Sequence, residues 1–143
     1  MIYHHAAHAL SMEDSIHLDD LDLDRIWLLE DGHCFRHQVV NFCDIKDAQA
    51  DGLPYNYQGG SIDTLMKIIN NEGGFTLIPE LAADPSSKQV KRFSRKPPLR
   101  EVSLVYNRKF VKSKLIDRIA ANIKKNIPAY MLDSSRGTIV PWR

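Results

Sequence analysis

Cys34 and Cys43 are the only thiols in the 143 residues. Both fall in one stretch, Leu29-Glu30-Asp31-Gly32-His33-Cys34-Phe35-Arg36-His37-Gln38-Val39-Val40-Asn41-Phe42-Cys43. A thiolate is a nucleophile, a metal ligand and the starting point of reversible oxidation. Spacing limits what this pair can do. In a helix, nine residues at ~1.5 Å rise put the two Cα atoms ~13 Å apart, whereas a disulfide needs them within about 7 Å. Nine steps of about 100° also place the side chains on nearly opposite faces. Pairing and helix therefore exclude each other: if the thiols join, the helix between them comes apart. Two plainer uses stay open. Cysteine packs as a small hydrophobe, and His33, Cys34, His37 and Cys43 include zinc-ligand types, although Cys43 faces away from the others on a helix.

The elements that would position this stretch follow from the pattern around it. Ile26-Trp27-Leu28-Leu29 is a compact apolar run bounded by charges, which suits a strand buried on both faces. Glu30-Asp31-Gly32 is a turn. The helix from His33 onward buries Phe35, Val39, Val40 and Phe42, and its β-branched residues give it only moderate propensity, so it depends on packing. Upstream, residues 2–12 read as a short strand and a loop carrying His4, His5 and His8, a weak metal-binding spacing. Ile16 to Leu21 reads as a short strand and one helical turn. Downstream, residues 48–54 form a connector and 55–58 a short strand ending at Gly59-Gly60. Ser61 is placed as the N-cap of a helix over 62–71, with Gly73 as its C-terminal stop. Phe75 to Ile78 is another buried strand, and Pro79 opens a short helix. This alternation argues for βαβ units and a mainly parallel sheet. Val90 to Phe93 reads as an edge strand, residues 94–99 as a crossing linker, 101–106 as a strand, and 111–127 as the longest amphipathic helix, with Leu115, Ile116, Ile119 and Ile123 on one face. Residues 131–143 read as a frayed tail.

Composition excludes some functions. With 19 Lys and Arg against 18 Asp and Glu, no whole-surface field draws in nucleic acid or anionic lipid. The basic run from Lys88 to Arg100 has one interleaved aromatic, Phe93, and reads as a solvated edge rather than a nucleic-acid site. No apolar run has the length of a membrane span, and Met1-Ile2-Tyr3-His4-His5 lacks the basic and apolar regions of a signal peptide. A cytoplasmic location is the default expectation, and there two cysteines are not a structural disulfide framework.

The chain resembles the effector-binding domain of LysR-type transcriptional regulators. The resemblance rests on Ile16-x-Leu18-x-Asp20-Leu21, on Gly60-Ser61-Ile62-Asp63-Thr64-Leu65, and on Gly73-Gly74-Phe75-Thr76-Leu77-Ile78-Pro79-x-Leu81-Ala82. Leu29-Glu30-Asp31-Gly32-His33-Cys34-x-Arg36 with a second cysteine at Cys43 resembles the peroxide-sensing motif of the OxyR-like members, and Arg100 matches a basic position there. The likeness covers about residues 3 to 130. It implies an α/β, Rossmann-like mixed sheet of the periplasmic-binding-protein type. It also implies a second regulatory subdomain over 1–98, a return into an incomplete first subdomain over 99–130, and a tail over 131–143. The chain is expected to lack the DNA-binding part and half of the first subdomain. One position departs from the motif: His37 stands where an acid usually follows the motif arginine.

The resemblance makes Cys34 the peroxidatic and Cys43 the resolving cysteine. The residues agree in part. Cys34 falls in a first helical turn, where unpaired N–H groups and the macrodipole favour an anion, and His33, Arg36 and His37 offer charge or donors. Arg36 is placed to hydrogen-bond the leaving peroxide oxygen. Ser61 and Thr64 have two readings, effector contacts at a cleft or merely capping and packing, and Arg100 is a candidate to position the cysteine region. The expectation is a non-enzymatic sensor of hydrogen peroxide, without cofactor or membrane contact. It would be reset by a thiol reductant such as glutaredoxin or thioredoxin, would form a homo-oligomer, and would reach DNA only through a domain outside the chain. The rivals are an effector domain that binds a small metabolite with inert cysteines, and a thiol peroxidase.

Overall fold

The computed structural model describes residues 1–46 and 60–141. Its centre is a four-stranded mixed sheet. The strands are β1 (Ile2–His4), β2 (Ser15–Ile16), β3 (Phe75–Leu77) and β4 (Val90–Phe93), in the spatial order β2-β4-β1-β3. β1 is antiparallel to both neighbours, with Ile2 opposite Leu77 and His4 opposite Phe75 on one side, and Tyr3 opposite Val90 on the other. β4 and β2 run parallel. The mixed sheet matches the expected class. The expectation of a mainly parallel sheet does not hold, because the first strand inserts between two later ones and opposes both. β4, read as an edge, is an interior strand, because β1 pairs with it on one side and β2 on the other. The run Ile26 to Leu29 lies beside β3 with a parallel bridge from Ile26 to Phe75 and a Trp27 N–H donated to the Phe75 carbonyl at 2.8 Å.

Two helices cover the two faces, α1 (Cys34–Phe42) and α2 (Ile62–Glu72). Strand alternation sorts the side chains between them. Ile2, Phe75 and Leu77 join Val39, Val40 and Cys43 of the α1 region in one apolar cluster. Tyr3, one residue out of phase with Ile2, joins Leu65 and Ile69 of α2 in the other. Ser61 occupies the N-cap position of α2 without a side-chain capping bond, so its hydroxyl does not serve as the expected cap. Gly73 (φ 87°) and Gly74 (φ 83°) turn the chain from α2 into β3. Gly74 has no room for a side chain, since a Cβ there would stand 2.7 Å from the Arg25 carbonyl oxygen. The strand expected at 55–58 and the connector at 48–54 lie outside the described residues.

The C-terminal third departs from the sequence reading. Residues 101–106 form no strand and are exposed, for an alternating pattern makes a strand only where a ladder partner is available. The last helix, α3 (Ser113–Lys125), forms as expected, but Leu115, Ile119 and Ile123 stay 40–47 % exposed. Residues 131–141 are not frayed. Two 3₁₀ turns lead to strand β6 (Thr138–Ile139), which pairs in parallel with β5 (Pro98–Leu99), and Val140 is buried.

Two of the three histidines near the start pack into the fold. His4 is fully buried, its Nδ1 bonds the His5 carbonyl at 2.8 Å, and its Nε2 is buried without a hydrogen-bond partner. The His8 ring lies edge-on to Phe75. Among the described residues no group of three or more His, Cys, Asp or Glu is arranged to hold a metal. Burial holds both His4 and His8 below the ordinary imidazole range. The unfolded chain therefore takes up protons that the folded chain refuses, and stability falls as pH drops below about 6.5. Thermal melting between pH 7 and 5 should show this as a falling Tm, with a shallower slope in a His4→Leu variant. Equal slopes would show that His4 does not contribute.

Candidate functional site

The stretch that carries both thiols forms the expected helix, and each thiol sits at one of its ends. Gly32 (φ 90°) turns the chain out of the Glu30-Asp31 loop. His33 is the N-cap, without a side-chain cap, and Cys34 is the first helical residue and exposed. Cys43 caps the other end, donating its N–H to the Val39 carbonyl at 2.9 Å, and its side chain is 5 % exposed within the apolar cluster. Burial pushes the Cys43 thiol up to about 12. Both cysteines are free. The end of the helix is closed by Asp44 at φ 52° and by the Ile45 N–H reaching back to the Val40 carbonyl at 3.0 Å. This is a Schellman-type closure, with an aspartate, a residue type that tolerates the left-handed region, where glycine is usual.

Arg36 lies in the first turn of α1 and is 4 % exposed. Its Nη1 donates to the Leu29 carbonyl at 3.0 Å. Helical direction explains this: the side chain leans back toward the N-terminus, which brings the guanidinium under the loop that leads into Cys34. A hydrogen bond from a charged group is worth roughly 1.5–3 kcal/mol, so Arg36 fixes the run 29–33 against the helix. His33 Nε2 stands 3.5 Å from Glu30 Oε1, and His37 Nε2 stands 3.3 Å from Asp31 Oδ1. At the position where the motif usually has an acid, His37 thus meets a carboxylate from the preceding loop. The Gly32 N–H first, and then His37, hold Asp31 below the usual carboxylate range.

An open cleft of about 390 Å³ lies in front of Cys34. It is lined by Leu29, His33, Cys34, Phe35, Gly60, Ser61, Ile62, Asp63 and Arg100. Two helix starts meet there, the first turn of α1 and the first turn of α2, and neither N-cap side chain takes up the free N–H groups. The Arg100 guanidinium sits 5.8 Å from the centre of the Phe35 ring, so Arg100 reaches the cysteine region through an aromatic face rather than an acid. Of the residues singled out from sequence, the cleft gathers His33, Cys34, Ser61 and Arg100. Thr64 is half-buried in the first turn of α2 and is not among the described lining residues. Arg36 and Cys43 are buried. Sequence reasoning missed Gly60, Asp63 and Phe35 as lining residues. Gly60 carried a signal in the Gly59-Gly60 pair: a Cβ at position 60 would stand 3.2 Å from Glu30 Oε1 and 3.3 Å from His33 Nε2. A bare backbone there lets α2 approach the cysteine loop.

Comparison with known proteins places this geometry in context. The family model for the LysR substrate binding domain matches residues 1–127. The DNA-binding transcriptional dual regulator OxyR of Escherichia coli is 33 % identical over 103 residues, covering 69 % of this chain and 33 % of the relative. The HTH-type transcriptional regulator EstR of Acinetobacter baylyi is 42 % identical over 65 residues, covering 46 % of this chain and 21 % of the relative. The crystal structure of OxyR from Porphyromonas gingivalis superposes with a TM-score of 0.78 at 29 % identity, over 98 % of this chain and 65 % of that one. The chain thus spans a third or less of the length of these two curated relatives.

The two thiols should differ sharply toward alkylation. Iodoacetamide at pH 8 is expected to label Cys34 alone in the native protein, and both cysteines only in denaturant, as read by peptide mapping. Native labelling of Cys43 at a comparable rate would contradict its burial.

Proposed function

The chain belongs to the LysR substrate-binding-domain family, and from that premise we propose that it is the peroxide-sensing regulatory part of an OxyR-like transcription regulator. The observation that carries the reading is the helix with a free, exposed Cys34 at its start and a free, buried Cys43 at its end. The named relatives add support, among them a hydrogen peroxide-inducible genes activator of Haemophilus influenzae, 25 % identical over 128 residues.

The chemistry runs in two steps. The Cys34 thiolate attacks one oxygen of hydrogen peroxide, the O–O bond breaks, and hydroxide leaves and is protonated to water. Cys34 is then a sulfenic acid. Cys43 leaves its buried site and gives up its proton, and its sulfur attacks the Cys34 sulfur. The S–OH bond breaks, water departs, and the disulfide forms. Peroxide has taken two electrons. A dithiol reductant of the glutaredoxin or thioredoxin kind returns them by exchange. Because a disulfide cannot span an intact α1, oxidation unwinds the helix and repacks one face of the sheet.

In this reading Arg36 is a positioning residue, since its guanidinium is engaged by the Leu29 carbonyl, while His33 and Arg100 face the cleft that peroxide enters. Residues 1–98 form the second regulatory subdomain, 99–130 the return into the first, and 131–143 the tail. The regulator works in the cytoplasm as a homo-oligomer, and DNA contact falls to a segment outside this chain.

Mass spectrometry after stoichiometric hydrogen peroxide should show the loss of two thiols and a Cys34–Cys43 peptide, both abolished by Cys34→Ser. If Cys34 stays reduced while exposed control thiols oxidise, the sensor reading fails. Continuous peroxide consumption with an added dithiol would point to a thiol peroxidase instead. The cleft supports a second reading, a small anionic metabolite held by two helix starts and Arg100. A ligand-dependent rise in Tm that persists in the double Cys→Ser variant would favour it.

A further inference from the structure

The C-terminal segment lies beyond the residues matched by the family model, which end at 127, yet it is fastened to earlier parts of the chain at three places. First, Arg136 Nη2 meets Glu80 Oε2 at 2.8 Å, and Glu80 also binds Arg92 at 3.0 Å and the Tyr130 hydroxyl at 3.3 Å. Burial alone would raise Glu80, but the two arginines outweigh it and hold the carboxyl low. Second, β6 lies along β5: the Thr138 N–H donates to the Pro97 carbonyl and the Val140 N–H to the Leu99 carbonyl, each at 3.0 Å. Gly137 is pressed against this strand so closely that a Cβ there would collide with the Pro97 carbonyl oxygen and the Leu99 side chain. Third, the Asn41 Nδ2 donates to the Pro141 carbonyl at 3.2 Å. Asn41 belongs to the last turn of α1, two residues before Cys43.

The third contact links the segment to the redox helix. Cys43 is buried, and the turn that holds it closes through left-handed Asp44. That turn has to open before the Cys43 sulfur can reach any partner outside the core. Opening it moves Asn41 and breaks the bond to Pro141. We propose that residues 136–141 are a strap over the end of α1, docked while both thiols are reduced, and that strap release and the exposure of Cys43 are one event. The strap slows the freeing of Cys43 and, once the helix opens, becomes a free segment that reports the redox state. The release on oxidation rests on the disulfide reading above; the restraint of Cys43 in the reduced protein does not.

The test has two arms. In a Cys34→Ser background Cys43 is the single thiol, and its reaction with N-ethylmaleimide measures the opening of the helix end with no oxidant present. Loss of one hydrogen bond corresponds to roughly a two- to tenfold change in an opening equilibrium, so Asn41→Ala should speed labelling by that factor. Alanine is the better helix former, so a faster reaction cannot come from a weaker helix. Gly137→Ala, which forces β6 off β5, should speed it further; circular dichroism checks that each variant is folded. Unchanged labelling in a folded Asn41→Ala variant and a folded Gly137→Ala variant overturns the strap. In the second arm, hydrogen exchange at Thr138 and Val140 is compared before and after peroxide, in samples where the disulfide has been mapped. Fast exchange only in the oxidised form supports release, and equal protection in both forms overturns it. If no disulfide forms, the sensor reading fails while the labelling arm still decides whether the strap restrains Cys43.

Discussion

The hydrogen-bonded helix from Cys34 to Phe42 is the constraint on which the rest of the site depends. It holds one thiol in water and the other in the core. While it stands, the two sulfurs have different environments and cannot meet. Everything around it either fixes its start or secures its end. The start is tied down: Arg36 donates to the Leu29 carbonyl, and Leu29 is itself buried beside the sheet. The end is held by apolar packing of Val39, Val40 and Cys43 and by a turn in which the Ile45 N–H closes on the Val40 carbonyl.

Both faces of the sheet contribute to the cleft. α1 packs on the face that carries Ile2, Phe75 and Leu77, α2 on the face that carries Tyr3, and both begin near Leu29. Gly60 and Phe35 then set the spacing. The absence of a side chain at Gly60 brings the second helix in, and the Phe35 ring gives Arg100 a surface to lie on. A cleft with free N–H groups and a guanidinium suits a small polar reactant, and Asp63 on its rim tempers the positive charge.

Much of this was legible in the sequence where local rules act alone. The helix ends, the Gly73-Gly74 turn and the short turns after Ile16 and Pro79 follow from periodicity and backbone chemistry, and they occur where expected. What stayed illegible depends on partners far along the chain. Strand direction is not legible because nothing local tells β1 that it will lie between β3 and β4. Residues 101–106 alternate as a strand should, but pairing is not a local property. Arg36 looked available to a substrate because its carbonyl partner is seven residues upstream and its burial comes from tertiary packing. The tail carries no local pattern because its contacts are to Glu80 and Pro97 to Leu99, neither adjacent to it.

The position of β1 has a consequence for how the protein is made. Its hydrogen-bonding edges are completed by Phe75 to Leu77 on one side and by Val90 and Lys91 on the other. A ribosome adding about 5–20 residues per second delivers those partners several seconds after the first strand emerges. For that interval Ile2 and Tyr3 have no ladder on either side, and the site helix has no finished sheet to pack on. The cysteine-bearing stretch is thus synthesised long before the core that buries Cys43 exists. Until Phe75 and Leu77 have been made, Cys43 lacks two of the residues it clusters with, so its complete burial can only follow theirs.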